Sequence, residues 1–259
     1  MNRTLKYILL ATGAAVIAVC ICCSFMAGRQ LRSTYTCQGL EVTIKDSLEN
    51  SFVSAADVKA YLDREYGIYK GIPLDSLDMV RIESIVDGRS AVKKSQAYVT
   101  RDGILHIDVT QRKPVVRFQK ARGGFYADKE GYIFPLQKSY ASHVQIIDGN
   151  IPLAANSGYK GELQNDREKK WFKDMMELIN FMEDSRTWKD KIVQIHVNGN
   201  RDLILIPREG NEHINFGQPD NIEEKFAKLE KYYTSIIPAQ GSGRYTKVDL
   251  RYRGQIVCR

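Results

Sequence analysis

The first hydrophobic feature of the chain is an uncharged run from Tyr7 to Gly28. Its 22 residues would form a helix of roughly 33 Å, enough to cross a bilayer core of about 30 Å. The pattern therefore predicts one transmembrane helix over residues 7–28, with a short tail at 1–6 and a polar connector at 29–36.

A cleaved signal peptide is the alternative to this anchor. Its hydrophobic region would span about 7–15 residues and lead to small residues spaced around the cleavage point. Here the large residues Phe25 and Met26 stand two positions before Ala27 and Gly28, so we favour an uncleaved anchor. Positive charges on its two sides nearly balance and do not fix the orientation. A short cytoplasmic tail with the bulk of the chain outside is the simpler topology.

Strand and helix periods alternate after the connector. Gln38–Lys45 predicts a strand, and Ser54, with an acidic residue three positions later, opens a helix through a capping box. Asp75 and Asp78 repeat this spacing and predict the start of a second helix, which Gly88 would end.

Two alternating runs, joined by a turn at 101–103, predict a hairpin. The residues that share one face of each strand are Ser95, Ala97 and Val99, then Leu105, Ile107 and Val109. The order strand, helix, helix, strand, strand predicts a small α+β domain, a sheet with two helices on one face.

The rest of the chain predicts a second, mixed and β-rich domain. Amphipathic periodicity favours a helix over Lys169–Asp184, and Asn221 with Glu224 predicts the start of the last helix. Strands are predicted at Ile192–Val197, Asp202–Ile206 and His213–Gly217.

The chain ends in an alternating stretch, Lys247–Val257. Its pattern predicts a terminal strand with one apolar face and one charged face. Arg253 and Gly254 then predict a turn towards a final short strand. The apolar face comprises Val248, Leu250 and Tyr252, and the charged face Asp249, Arg251 and Arg253.

Composition restricts the partners. The chain is 43% hydrophobic and 27% charged, as expected of a folded protein, and its net charge is +7. No block of five lysines and arginines and no nucleic-acid-binding motif accompanies this charge, so we expect no nucleic-acid partner. Three of the five cysteines lie in the predicted anchor, and a disulfide between Cys37 and Cys258 is left open.

The candidate catalytic motifs are weak. Ser90 with Lys93 and Ser157 with Lys160 match the Ser-x-x-Lys spacing of serine acyl enzymes, which place both side chains on one helical turn. Both pairs fall outside the predicted helices. The four histidines are isolated, and no metal-ligand spacing occurs. We expect no enzyme activity, no metal and no cofactor; an envelope hydrolase using one of these serines is the alternative.

The order of the predicted elements and several short motifs resemble known protein families. The order β-α-α-β-β, closing with QRKP at 111–114, resembles a POTRA domain, a polypeptide-transport-associated module. A single anchor before one such domain resembles the FtsQ/DivIB family of bacterial cell-division proteins. Phe125–Phe134, with Asp128 and Gly131 in its turn, and the ending VDLRYRGQIV at 248–257 are similar to the second domain of that family. Gln111 departs from the pattern, because the family usually has an acidic residue there.

The resemblance implies a POTRA domain at 37–114 and an FtsQ-type β domain at 115–259. It also implies a non-enzymatic scaffold at the division septum, held in the cell inner membrane with its bulk in the periplasm. Its partners would be small coiled-coil division proteins of the FtsB and FtsL type and proteins of septal peptidoglycan synthesis. The alternative is a POTRA-containing component of protein secretion or outer-membrane assembly.

By the same resemblance, partner contact belongs to the terminal strand and the neighbouring helix. An edge strand accepts a partner strand by β-augmentation, and a guanidinium can bind a partner carboxylate in a bidentate manner. The alternative for Arg251 is a solvated charge pair with Asp249, which would contribute little. A second candidate surface comprises the helix Asp75–Asp87 and the strand Lys93–Thr100. The residues implied at the terminal strand are Arg251, Tyr252, Gly254, Gln255, Ile256 and Val257.

Overall fold

A computed structural model of the chain describes residues 12–24, 26, 35–47, 51–137 and 140–259. Residues 12–24 are helical. Within the described ranges, no helix is both long enough and apolar enough to cross a membrane. Part of the predicted anchor (7–11, 25, 27 and 28) lies outside the described residues, as do the tail at 1–6 and residues 29–34 of the connector.

The chain divides into two compact units, the first ending at Gln111 and the second formed mainly by Arg112–Arg259. The first unit has the predicted order of elements. They are β1 (Gly39–Ile44), α1 (Ala55–Glu65), α2 (Met79–Asp87), β2 (Val92–Val99) and β3 (Ile104–Gln111), with a 3-10 turn at Leu74–Ser76. The central strand is β3, which pairs in parallel with β1 and antiparallel with β2.

The local signals in the first unit are largely confirmed. Ser54 Oγ accepts a hydrogen bond from the backbone N–H of Asp57, and the Asp57 carboxylate accepts one from the N–H of Ser54, each at 3.1 Å. The predicted hairpin turn joins β2 to β3, and Gly103 at its end has a left-handed φ of 84°. Helix α2 ends at Asp87, before Gly88.

The predicted start of the second helix is wrong. Asp75 lies in the 3-10 turn, whereas Asp78 caps α2 by accepting a hydrogen bond from the N–H of Arg81 at 2.9 Å. Leu77 separates the two segments because it is buried with an extended backbone, at ψ 123°. Burial of this side chain outweighs the capping signal at Asp75.

In its described residues, the second unit contains one large sheet and two main helices. Its strands are β4 (Pro114–Lys120), β5 (Gly123–Asp128), β6 (Ile133–Pro135), β7 (Gln145–Gly149), β8 (Ile192–Val197), β9 (Leu203–Pro207), β10 (His213–Gly217), β11 (Lys247–Asp249) and β12 (Val257–Cys258). Across the residues that the structure describes, their order is β12-β11-β10-β9-β8-β7-β4-β5-β6. The helices are α3 (Asp166–Asp184) and α4 (Ile222–Lys231), the latter continuing through a π-helical turn (Tyr232–Ile236) into α5 (Ile237–Gln240).

Both helices cover the same face of this sheet. A buried apolar row crosses six strands in register, at Phe118, Ile147, Ile195, Leu205, Ile214 and Val248. The ring of Phe118 lies 5.7 Å from that of Phe172 on α3. On the same face, Phe216 lies 5.5 Å from Phe226 on α4.

Two helix starts differ from the prediction. Helix α3 begins at Asp166 rather than Lys169, because the side chain of Asn165 accepts a hydrogen bond from the N–H of Arg167 at 2.9 Å and so caps an earlier turn. Asn221 does precede α4, but its backbone is left-handed, with φ of 47°, and its side chain makes no capping hydrogen bond.

The predicted turn at Arg253 and Gly254 and the final short strand are confirmed, but the strand before them is shorter than predicted. Strand β11 ends at Asp249, and the chain turns before returning as β12. Val248 and Leu250 are buried, but Tyr252, predicted to share their face, is 52% exposed. The alternation stops where the side chain of Lys228 on α4 binds the backbone of this turn.

Candidate partner-binding edge

The strand β12 lies at one edge of the large sheet, beside β11, among the residues that the structure describes. Lys247 and Arg259 exchange two backbone hydrogen bonds of 2.9 Å. Such pairs alternate with pairs that exchange none in an antiparallel ladder, so the adjacent pair of Val248 and Cys258 exchanges none. The N–H and C=O groups of Cys258 therefore point away from β11, toward the edge, where a further strand would pair.

The six residues predicted for partner binding lie in the turn after β11 and at the start of β12. Tyr252, Gly254 and Gln255 are exposed, whereas Ile256 and Val257 are half-buried. The N–H of Gln255 donates to the carbonyl of Tyr252 at 3.4 Å, and Gly254 has a φ of 68°, which glycine adopts without strain. The turn thus presents an aromatic side chain next to the edge strand.

Two side chains of α4 hold this turn in place. The buried ammonium group of Lys228 donates to the carbonyl oxygens of Leu250, at 2.7 Å, and Tyr252, at 2.8 Å. One helical turn earlier, Glu224 accepts a hydrogen bond from the N–H of Gly254 at 3.3 Å and lies 3.6 Å from Lys228. A buried lysine is stable only when its hydrogen bonds are satisfied, and these carbonyls satisfy it.

Arg251 is already bound to two carboxylates. Its Nε and Nη2 donate to Asp249, the shortest distance being 2.6 Å, and its Nη1 donates to Asp202 at 3.3 Å. The hydrogen bonds to Asp249 raise the pKa of the guanidinium. Burial acts to raise the pKa of Asp249, but its hydrogen bonds with Arg251 outweigh this and leave that pKa below its ordinary value.

The side chain of Arg251 also depends on the absence of a side chain at Gly217. A Cβ atom there would lie 2.7 Å from Cγ of Arg251, and Gly217 has a left-handed φ of 77°. Gly217 therefore gives the arginine room to cross toward Asp202.

A cavity of about 270 Å³ lies beside this turn, between the first turns of α4 and residues Leu250, Arg251 and Arg253. Lys225 lines it and is itself buried, donating to the carbonyl of Gln218 at 2.8 Å and contacting Asp220. The charged groups around this cavity are thus engaged with the protein's own oxygens at Lys225, Lys228 and Arg251.

The sequence pattern predicts Arg251 and Tyr252 as candidate contact residues but does not identify the residues that position them, which are Lys228, Glu224, Gly217 and Asp202. The only sequence signal was the spacing of Glu224 and Lys228, which is typical of an exposed ion pair on a helix. Nothing in that spacing indicates that the lysine is buried under the terminal turn.

The other candidate residues do not converge on a site. Ser90 lies in a turn and Lys93 in β2, while Ser157 and Lys160 lie in a loop, so neither pair shares a helical turn. His106 stacks on Tyr98 with ring centroids 5.1 Å apart. In the part of the chain that is described, no three His, Cys, Asp or Glu side chains are grouped to hold a metal ion. Cys37 and Cys258 are free thiols.

Comparison with known protein families gives two matches. Residues 113–259 match the family model described as FtsQ/DivIB, C-terminal related. Residues 35–110 match the model of a POTRA-like domain. A search of curated proteins found no match. The two matches fall on the second and the first compact unit, respectively.

Proposed function

This chain belongs to the FtsQ/DivIB family, and from that membership we propose that it is a non-enzymatic scaffold of the bacterial division machinery. Residues 7–28 would anchor it in the cell inner membrane at the septum, with its bulk in the periplasm. It would hold small coiled-coil division proteins of the FtsB and FtsL type close to the enzymes of septal peptidoglycan synthesis. Confinement to the membrane raises the effective concentration of each partner, so modest contacts suffice.

The observation that supports a binding role is the edge strand β12. The outward-facing N–H and C=O groups of Cys258 supply the main-chain hydrogen bonds that β-augmentation requires. Beside them, Tyr252 is 52% exposed, and exposed aromatic residues often supply much of the binding energy at interfaces. A partner strand would therefore pair with β12 and place a side chain against Tyr252.

The engagement of Arg251 refines its proposed role. Because its guanidinium already bonds Asp249 and Asp202, a partner carboxylate would have to share or displace those contacts. We therefore assign the larger part of partner binding to the β12 backbone and Tyr252. Arg251 would contribute by fixing the turn and by receiving an acidic side chain at its exposed edge.

The direct test removes the outward N–H of Cys258. In Cys258→Pro that donor is lost, while the N–H does not belong to the β11 ladder, so an edge position tolerates the change. Cys258→Ala keeps the donor and is the matched control. The measurements are a pull-down of coiled-coil division partners and septal localisation in cells, with intrinsic tryptophan fluorescence as the check on folding.

We expect Cys258→Pro and Tyr252→Ala to lose the coiled-coil partners while Cys258→Ala keeps them, and Arg251→Glu to weaken capture. If Cys258→Pro were folded, captured the coiled-coil partners and localised to the septum normally, the proposal that a partner strand pairs with β12 would be wrong. Loss of capture by Tyr252→Ala alone would then place the partner on the turn instead of the edge.

A further inference from the structure

The first unit has an edge strand of its own, and its outward-facing donors are occupied. Strand β2 lies at the edge of the described three-stranded sheet, beside β3. The N–H of Ser95 donates to the carboxylate of Asp87 at 2.6 Å, and the N–H of Ala97 donates to that of Glu83 at 2.8 Å. Both acceptors belong to α2, so side chains of a helix accept the hydrogen bonds from the outward-facing N–H groups of this edge strand.

The distance between Glu83 and Asp87 along the helix matches the distance between Ser95 and Ala97 along the strand. Glu83 and Asp87 are four residues apart on a helix, or about 6 Å along its axis. Ser95 and Ala97 are two residues apart on a strand, or about 6.6 Å. The pairing also runs in opposite directions, since the later helix residue meets the earlier strand residue. The two carboxylates thus stand where carbonyl groups of an adjacent strand would stand.

A further contact fixes the helix to the strand. The buried hydroxyl of Ser95 lies 2.7 Å from the Asp87 carboxylate and 3.3 Å from the backbone carbonyl of Glu83. An unprotected edge strand readily pairs with another chain, and charged side chains are a common protection. Here the two carboxylates do more than repel an incoming strand. They accept the hydrogen bonds from Ser95 and Ala97 that the carbonyl groups of such a strand would otherwise accept.

We propose that β2 is a strand-accepting edge that Glu83 and Asp87 hold closed, and that opening it lets β2 of a second copy of this chain pair with it. Two copies related by a two-fold axis would pair antiparallel with Gln96 at the centre. Ser95 of each copy would then face Ala97 of the other, so that the outward donors meet.

The same register is self-complementary in its side chains. Lys94 of each copy would lie opposite Tyr98 of the other, and a lysine beside an aromatic ring is a favourable cross-strand pair. No like charges face each other at these positions. The exposed side chains of β2 therefore do not prevent two copies of this strand from pairing. The two carboxylates prevent it.

The test is the oligomeric state of the detergent-solubilised full chain, measured by sedimentation velocity. Glu83→Ala with Asp87→Ala removes both acceptors, and Glu65→Ala with Asp75→Ala removes the same charge from exposed positions away from β2. Glu83→Gln with Asp87→Asn removes the charge but keeps an acceptor oxygen on each side chain. Circular dichroism checks that each variant is folded.

We expect the double alanine variant at β2 to dimerise, and the exposed control and the Gln/Asn variant to keep the oligomeric state of the wild type. In dilute solution the amides of Ser95 and Ala97 should exchange hydrogen at least about tenfold faster than in the wild type, because a charge-assisted hydrogen bond is lost from each. Adding Ala97→Pro, which removes one edge donor, should abolish the new dimer.

A folded double alanine variant with the wild-type oligomeric state would overturn the proposal. A dimer that survives Ala97→Pro would show that the copies associate elsewhere. If the Gln/Asn variant dimerised as strongly as the alanine variant, then charge repulsion, and not occupation of the donors, would close this edge, and the hydrogen-bond mechanism would be wrong.

Discussion

The Nζ atom of Lys228 lies 2.7 Å from the backbone carbonyl oxygen of Leu250, immediately after β11. The same ammonium group lies 2.8 Å from the carbonyl of Tyr252, so one buried charge holds both ends of a three-residue segment. The segment carries Arg251 at its centre. The conformation of the candidate partner-binding turn therefore depends on α4 as well as on the turn's own Arg251 and Gly254.

Replacing Lys228 by methionine should destabilise the second unit. The change keeps most of the side-chain volume but leaves a buried and a partly buried carbonyl without their donor, which should lower the free energy of unfolding by about 2 kcal/mol. Both tryptophans, Trp171 and Trp188, lie in the second unit, so their fluorescence during urea unfolding reports on it. Lys231→Met, at an exposed position of the same helix, is the control and should have little effect. Equal losses in the two variants would contradict the role of the clamp.

Gly217→Ala should disturb Arg251 from the opposite side. The new Cβ would stand 2.7 Å from Cγ of Arg251, at a backbone φ of 77° that disfavours a side chain. We expect a loss of about 1–3 kcal/mol in unfolding free energy, from backbone strain and displacement of the arginine. Gly199→Ala is a suitable comparison, because a Cβ there meets nothing within 4 Å. If the two substitutions had the same effect, Gly217 would not be making room for the arginine.

The ion pair of Asp249 and Arg251 should make the second unit sensitive to acid. The pKa of Asp249 is lower in the folded chain than in the unfolded one, so its ionised form stabilises the fold. This contribution is complete above about pH 3.9, the ordinary value for aspartate, and is lost as the pH falls through the lower folded value. The difference in unfolding free energy between wild type and Asp249→Asn should therefore be positive near neutrality and vanish in strong acid.

The control for this pH dependence is Asp166→Asn, whose carboxylate side chain is 98% exposed. Because water screens an exposed charge, its difference from the wild type should vary with pH less than that of Asp249→Asn. A difference for Asp249→Asn that does not change with pH would mean that the substitution acts through packing and not through the charge.

Local signals in the sequence predicted the elements of both units well. The capping box at Ser54 and the alternation in β2 and β3 depend on residues close in the chain, so the sequence shows them directly. Asp78 shows the limit of predicting a helix start from local sequence signals. Two aspartates three residues apart both favour a cap, and burial of Leu77 between them decides which one is used.

The geometry of the candidate site was only half predictable for a similar reason. Arg251 and Tyr252 stand in a recognisable stretch, but the groups that position them lie far away along the chain. Lys228 and Asp202 reach the turn only because the sheet order brings α4, β9 and β11 together. A helix pattern with lysines on its flank predicts exposed side chains, and burial of Lys228 follows from tertiary contacts alone.

The departure at Gln111 is explained by its neighbours and gives the last prediction. Its amide donates to Asp46 at 3.3 Å while its Oε1 accepts from the N–H of Val53 at 2.8 Å, so the side chain bridges two segments of the first unit. Gln111→Glu would restore the acidic residue usual in the family but bring a carboxylate against Asp46. We expect a loss of about 1–3 kcal/mol, because the buried donor is replaced by a second acceptor.

Hydrogen exchange of the Val53 amide should follow this change directly, becoming faster in Gln111→Glu. Adding Asp46→Asn supplies a side-chain amide that can donate to the new carboxylate, so the double variant should recover most of the lost protection. Asp46→Asn alone, which keeps an acceptor for the backbone N–H of Gln111, should have a smaller effect. If Gln111→Glu were as protected as the wild type, the bridge to Asp46 would not be the reason that glutamine stands at this position.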